Sequence, residues 1–253
     1  MNTEYNSETF DSKDYLQRYY QTIYGHQDEN YDNYFVDQLL DVINHNEING
    51  SSLLDVGAGP CMHTAIISSK RFSNIYLSDY LRSNREELSK WLKNDPSAHD
   101  WTSFLEYISK KESSSVEEIS KRTRESVKAC IQIDVNLTNP LEPNWFNQFD
   151  CILTSLCLEA ACSDFDSYNK AIENLSNLLK VNGCMIMMGV LGETFYRVAD
   201  VKWGCLKLEI NDIKQALIRN RHEVLFFNSQ KLNNKESDTS DCNGLFIVLS
   251  KKK

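Results

Sequence analysis

The chain reads as an α/β protein whose mostly parallel sheet is covered by helices on both faces. Three observations lead there. Short apolar segments of strand length alternate with segments of helical period over much of the 253 residues. The first strand-like segment, Ser52-Leu53-Leu54-Asp55-Val56, runs straight into a glycine turn, Gly57-Ala58-Gly59-Pro60. Acids then recur at strand ends, Asp55, Asp79 and Asp134, where open α/β sheets bind their ligands.

Taken in order, residues 10–45 read as helical and rich in tyrosine: Tyr15, Tyr19, Tyr20, Tyr24, Tyr31 and Tyr34. Ser12 is placed to cap the first helix, with Tyr15, Leu16 and Tyr19 on one side. A second helix over 34–43 carries Phe35, Leu39, Leu40, Val42 and Ile43. Asn49-Gly50 turns the chain into the first strand. Strands are expected over 52–56, 74–78, 130–134, 149–154, 184–190, 223–228 and 244–250. Helices are expected over 61–70, 83–93, 166–180 and 210–220. No helix separates the last two strands, so they form an antiparallel hairpin at one edge, joined by the polar stretch 231–243. Residues 94–128 interrupt the alternation with an inserted helical segment bearing Trp101, Phe104, Leu105, Tyr107 and Ile108. Its following charges are mixed in sign, as on a solvated face. The expectation is one domain over 1–253, with 1–48 as a helical lid.

Composition bounds the partners. At 41% hydrophobic residues the chain can bury a substantial core. Its net charge of −9 argues against nucleic acid or an anionic membrane surface as the main partner, since both need basic patches. The strongly apolar runs, such as 184–191, are strand-sized and fall short of the ~20 residues of a membrane span. The polar N-terminus lacks a signal pattern, so a soluble, cytoplasmic monomer is expected. The eight cysteines form no C-x-x-C pair and read as small buried hydrophobes. Neither a metal site nor a disulfide framework is expected.

The glycine turn raises the question of cofactor. Gly57 and Gly59 let a ligand approach the backbone closely, but Met62 stands where a dinucleotide fingerprint has its third glycine. That favours an adenosyl cofactor without phosphates, S-adenosylmethionine, over NAD. Asp79 can accept from ribose hydroxyls of either cofactor. Asp134-Val135 can meet adenine, and Thr154-Ser155 ends a strand beside the reacting centre.

Several longer stretches carry a family resemblance: SKDYLQRYY (12–20), LLDVGAGP (53–60), SDYLRSNREELSKWLKNDPSAHDW (78–101), IDV (133–135), SLCLEAAC (155–162), NLLKVNG (177–183) and NGLF (243–246). Through them the chain resembles the small-molecule amine N-methyltransferases, which include the nicotinamide, indolethylamine and phenylethanolamine N-methyltransferases. The resemblance implies a Rossmann-like class I methyltransferase fold. Its sheet has seven mostly parallel strands, an antiparallel strand in the C-terminal hairpin and an N-terminal helical lid. It also implies S-adenosyl-L-methionine as cofactor and S-adenosyl-L-homocysteine as product.

Carried over by residue, the pattern has Tyr15 and Tyr20 closing over the cofactor, and Gly57 and Gly59 with neighbouring backbone holding its methionine part. Asp79, Tyr80 and Asn84 take the ribose and adjoining groups, Asp134 and Val135 bracket the adenine, and Ser155 lies beside the cofactor. His63 and Cys61 stand where relatives have tyrosine and threonine, and Val181-Asn182-Gly183 replaces the usual Pro-Gly-Gly.

On the acceptor side, Gly189 and Cys205 occupy the positions of the aspartate and serine of nicotinamide methyltransferases. Gly189-Val190-Leu191-Gly192-Glu193 instead matches the Gly-x-Leu-x-Glu of the phenylethanolamine branch. Glu159, at the end of the fourth strand, and Tyr196 match its other acceptor residues, and Asp241 stands close to a further acid of that branch. A phenylethanolamine-like or indolethylamine-like amine is therefore the expected acceptor, with nicotinamide or another pyridine as the alternative. A non-catalytic S-adenosylmethionine-binding protein is the competing reading from another class.

The chemistry is compatible with these residues. Methyl transfer from a sulfonium to nitrogen is an in-line displacement needing alignment and exclusion of water. An aliphatic amine is mostly protonated near neutral pH, so a carboxylate must take its proton. Glu159 and Glu193 are the candidates, one to bind the ammonium and the other to help deprotonate it.

Overall fold

A computed structural model describes residues 9–23, 31–143, 148–232 and 238–253. Within them the order is α1 (Ser12–Tyr19), α2 (Tyr31–Val42), β1 (Ser52–Val56), α3 (His63–Ser68), β2 (Asn74–Asp79) and α4 (Arg82–Leu92). Then come α5 (Thr102–Glu112), α6 (Val116–Ser126), β3 (Val127–Gln132), β4 (Phe149–Ser155), α7 (Leu158–Ala161) and α8 (Phe165–Asn177). The chain closes with β5 (Leu179–Leu191), β6 (Phe195–Val198), β7 (Val201–Gly204), α9 (Ile210–Arg219), β8 (His222–Lys231) and β9 (Gly244–Lys252). Tyr24, the start of the polar N-terminus and part of the 231–243 connection lie outside the described residues.

The seven-stranded sheet has the order β3-β2-β1-β4-β5-β9-β8. Strands β1 to β5 pair in parallel, and β9 runs antiparallel between β5 and β8. Because successive strand residues point to opposite faces, each strand feeds two cores. Leu53, Leu77, Leu153 and Ile186 pack with α2, α3 and α5 on one side. Leu54, Val56, Ile152 and Met187 pack with α8 and α9 on the other. Strand order reverses between β1 and β4, and a crevice opens there at the carboxyl ends of the strands.

Several boundaries differ from the sequence expectation, each for a tertiary reason. The third strand, expected over 130–134, starts at Val127 and ends at Gln132, because Val127 pairs with Ile75 and Ala129 with Tyr76. Asp134 therefore lies in a loop beyond the strand, closed by its amide donating to Pro140 O at 2.9 Å. The helix expected over 166–180 stops at Asn177, and the strand expected over 184–190 begins at Leu179, which pairs with Phe149. The helix expected over 61–70 spans only His63–Ser68. Glu159, assigned to the fourth strand, belongs to the short helix α7 that follows it.

Asp11, not Ser12, caps α1, its carboxylate accepting from the amides of Lys13 and Asp14 at 2.9 and 3.0 Å. The hydroxyl of Ser12 is used elsewhere, donating to Asn84 Oδ1 at 2.6 Å. The small antiparallel pair β6–β7 was not expected at all. Helix α1 docks on it. Asp14 accepts from the amide of Ala199 at 2.5 Å, Arg18 donates to Ala199 O at 3.3 Å, and the Tyr19 hydroxyl donates to Arg197 O at 2.7 Å. Between β2 and β3 the helices α5 and α6 follow α4, and Trp101 and Phe104 are buried under Tyr20. Among the described residues no helix is long and apolar enough to cross a membrane.

Candidate active site

The crevice at the strand ends is a cavity of about 840 Å³. That is near the upper end for small-molecule sites and leaves room for two ligands side by side. Tyr15, Tyr20, Gly57, Gly59, His63, Asp79, Tyr80, Asn84, Asp134, Val135 and Ser155 all line it. So do Glu159, Glu193, Tyr196 and Cys205. Gly189 and Asp241 do not.

One half is built on the glycine turn. Gly57 and Gly59 have φ of +64° and +61°, a region closed to most side chains, and a Cβ at Gly57 would collide with Cys157. Asp79, at the end of β2, is buried and accepts from three directions: Gly59 N at 2.8 Å, Leu81 N at 2.8 Å and Asn84 Nδ2 at 3.0 Å. Burial raises its pKa against the pull of these hydrogen bonds. Asn84 in turn accepts from Ser12, so a continuous chain of hydrogen bonds links α1 to the turn.

Two buried groups in this half are incompletely partnered. Asp55 Oδ2 accepts from Thr64 Oγ1 at 2.5 Å, whereas its Oδ1 has no partner among the described residues. Burial carries its pKa up to about 7. His63, 5% exposed, stacks on Tyr20 with centroids 5.1 Å apart and on Trp101 at 6.0 Å. Its Nδ1 has no partner among the described residues, and burial lowers its pKa to about 4, keeping it neutral.

The other half is acidic. Glu159 and Glu193 are 5% and 7% exposed. Burial pushes the Glu159 pKa up to about 7; the amides of Glu159 itself and Val190 oppose this, and the charge of Glu193 reinforces it. The Val190 amide lies 3.3 Å from Glu159 Oε1. Glu193 is also raised by burial, but it accepts from Ser240 Oγ at 2.5 Å and from the Cys205 thiol at 3.1 Å. Among the described residues neither carboxylate has a salt-bridge partner; nearby Arg18 is paired with Asp14 at 3.2 Å.

Gly189 acts by absence. A Cβ there would come within 2.8 Å of Glu159 Oε1 and 2.7 Å of Phe246 Cε1, so glycine leaves space for the carboxylate. Asp241 is engaged beside the cavity. It accepts from the amides of Thr194 and Phe195 at 2.7 and 3.1 Å and from Thr194 Oγ1 at 2.5 Å, fixing the approach to β6. Sequence reasoning left Asp55, Tyr19, Cys157 and Ser240 out of the site, yet all line the cavity. Asp55 was visible as a strand-ending acid; Ser240 had no local signal.

The family model described as NNMT/PNMT/TEMT family matches residues 1–253. The chain belongs to that family. It is 33% identical over 210 residues to indolethylamine N-methyltransferase of Oryctolagus cuniculus, covering 81% of this chain and 79% of that one. To nicotinamide N-methyltransferase of Homo sapiens it is 30% identical over 247 residues, covering 96% and 93%. The fold is shared with the crystal structure of magnesium protoporphyrin IX methyltransferase from Synechocystis with bound SAH. That match has a TM-score of 0.56 at 11% identity, over 98% of this chain and 96% of the other.

This family member is thus an S-adenosylmethionine-dependent N-methyltransferase with a Rossmann-like fold. Its cavity fits that cofactor. The left-handed glycine turn offers close backbone approach, and the orphaned Asp55 Oδ1 and His63 Nδ1 are unmet polar atoms beside it.

Proposed function

We propose that this protein methylates a small basic amine, taking the methyl group from S-adenosylmethionine. The observation that carries the reading is the pair of buried carboxylates, Glu159 and Glu193, lining one cavity without a salt-bridge partner among the described residues. Two such acids resist joint ionisation, and a cation between them relieves both their desolvation and their repulsion. A protonated amine supplies that cation; a neutral pyridine does not.

Gly57, Gly59, Asp55 and His63 would hold the methionine part of the cofactor. Asp79, Tyr80 and Asn84 would hold its ribose and adjoining groups, and Asp134 and Val135 its adenine, with Ser155 beside it. When bound, the cofactor supplies a sulfonium methyl group, whose S–C bond breaks, leaving its electron pair on sulfur, as the N–C bond forms. Tyr15 and Tyr19 of α1 and Tyr20 just after it line the cavity, where they would exclude water and so strengthen the electrostatics inside. One of the two carboxylates binds the ammonium. The other takes a proton from it, directly or through one water, so that the nitrogen presents its lone pair. Tyr196 lies on the acceptor side.

Replacement Glu159→Gln tests the reading. Isothermal titration should find S-adenosylmethionine affinity near wild type, while turnover of phenylethanolamine and tryptamine falls about 10²- to 10⁴-fold. Unchanged amine turnover removes Glu159 from the reaction. Turnover of these amines should also rise with pH in the wild type, and a flat profile contradicts a deprotonation step.

A further inference from the structure

The two carboxylates have different surroundings. Glu193 has both oxygens engaged by side-chain donors: Ser240 Oγ on Oε1 at 2.5 Å and Cys205 Sγ on Oε2 at 3.1 Å. The donors come from separate parts of the chain. Cys205 follows β7, and its amide donates to Thr194 O at 2.9 Å. Ser240 belongs to the β8–β9 connection. It is held by a bridge to Tyr196 and by the Cys242 amide, which donates to its hydroxyl at 3.2 Å. Asp241, next to Ser240, ties that connection to Thr194 and Phe195. Among the described residues Glu159 has no comparable side-chain donor; its hydrogen bonds come from backbone amides, that of Val190 at a long 3.3 Å.

We propose that Ser240 and Cys205 are positioning residues that hold Glu193 as a fixed carboxylate, leaving Glu159 to exchange the acceptor's proton. The assignment rests on the amine reading above. Hydrogen bonds to a carboxylate favour its negative form, so Glu193, with both oxygens engaged at 2.5 and 3.1 Å, keeps its charge to lower pH than Glu159, similarly buried and met by the Val190 amide at 3.3 Å. Glu193 then anchors the ammonium. Glu159 receives one N–H proton and becomes the neutral acid, while the amine keeps the electron pair for its new bond to carbon. Cys205 is therefore occupied by Glu193 and does not act as a direct acceptor contact.

The titratable groups around Glu193 bear on its protonation. They are Tyr19 from α1, Tyr196 from β6, Glu159 from α7, Cys205 after β7 and Asp241 in the β8–β9 connection. Among the described residues only Cys205 and Ser240 donate side-chain hydrogen bonds to it. Burial raises its pKa most, the hydrogen bonds from Ser240 and Cys205 pull it back down, and the charge of Asp241 adds to the rise.

The test is a carbon-13 NMR titration of glutamate side-chain carboxyls in the full, ligand-free chain, with Glu159 and Glu193 assigned by their Gln variants. In wild type, Glu193 should titrate below Glu159. Ser240→Ala and Cys205→Ala should each move Glu193 up by about one pH unit, and Ser240→Thr or Cys205→Ser should restore it. The two alanine variants change separate segments, so misfolding of one leaves the other informative, and both must keep wild-type S-adenosylmethionine binding. A Glu193 midpoint that is unmoved in both variants, or that lies above Glu159 in wild type, overturns the proposal. Because this readout needs no acceptor, failure of the amine reading shows separately, as Glu159→Gln turning over amines at the wild-type rate.

Discussion

The two halves of the cavity are built by different means. The glycine-turn half comes from the ends of adjacent parallel strands, and its central acid, Asp79, is met by three protein donors within five residues of Asp79 or on the glycine turn. The acidic half is assembled from α7, the β6–β7 pair and the β8–β9 connection, and its acids are left short of positive charge. The first half is a preformed cradle whose central acid is satisfied within the protein, while Asp55 Oδ1 and His63 Nδ1 have no partner among the described residues. The second stores unmet negative charge, which a cationic ligand completes. Affinity for the cofactor and chemistry on the acceptor should therefore be separable by mutation.

The sharpest separation is between Glu159 and Asp79. Glu159→Gln should cost about 10²- to 10⁴-fold in amine turnover with little change in cofactor affinity. Asp79→Ala should weaken cofactor binding about 10- to 100-fold, the range for hydrogen bonds to a charged group, for every acceptor alike. Titration calorimetry and steady-state kinetics on both variants check this, and equal effects of the two on cofactor affinity break the comparison.

Gly57→Ala probes the cradle's backbone. The substitution places a Cβ against Cys157 at a residue with φ of +64°. Strain of about 1–3 kcal/mol should lower the melting temperature by several degrees and weaken the cofactor site. The double variant Gly57→Ala with Cys157→Gly should recover the steric part and leave the φ part.

A pH series sharpens the electrostatic contrast. The folded pKa of Glu159 is raised from 4.5 to about 7, so between these values the folded state holds a proton that the unfolded state has lost. Its contribution to stability therefore falls as pH rises through that window. Glu159→Gln escapes the penalty, and its stability relative to wild type should grow by up to about 3 kcal/mol from pH 4.5 to pH 7. Comparing variant with wild type cancels the opposite trend from His63 and His222, both lowered to about 4. Denaturant titrations at several pH values give the difference directly.

The smallest effect expected is that of Ser12→Ala. Loss of its hydrogen bond to Asn84 removes one link between α1 and the turn, and should weaken cofactor binding only a few-fold.

The sequence made the two halves unequally readable. Asp79 ends its strand and stands shortly before a helix, a local pattern as plain as the glycine turn. Asp134 was located although the strand before it was shifted, because the loop and not the strand sets its position. Ser12 was misread as a cap because two cap-forming residues stand side by side. Asp11 takes the helix amides, and Ser12 reaches Asn84, a choice made by packing.

In the acidic half, Glu193 was legible through family resemblance, and Glu159 also as a charge set in the apolar run LCLEAAC. The donors to Glu193 lie 12 and 47 residues further along the chain. Their meeting depends on the β6–β7 pair, whose alternating segments lack a glycine or asparagine turn, and on the Tyr196–Ser240 bridge. Asp241 was assigned to the acceptor, yet the geometry turns its neighbour Ser240 inward and spends Asp241 on Thr194 and Phe195.

The central claim is that buried, uncompensated carboxylates select a basic amine. It is tested most directly by incubating the protein and S-adenosylmethionine with phenylethanolamine, tryptamine and nicotinamide in parallel, with methylated products quantified by mass spectrometry. At least one amine should be methylated more than about tenfold faster than nicotinamide. Nicotinamide as the fastest acceptor would contradict the account.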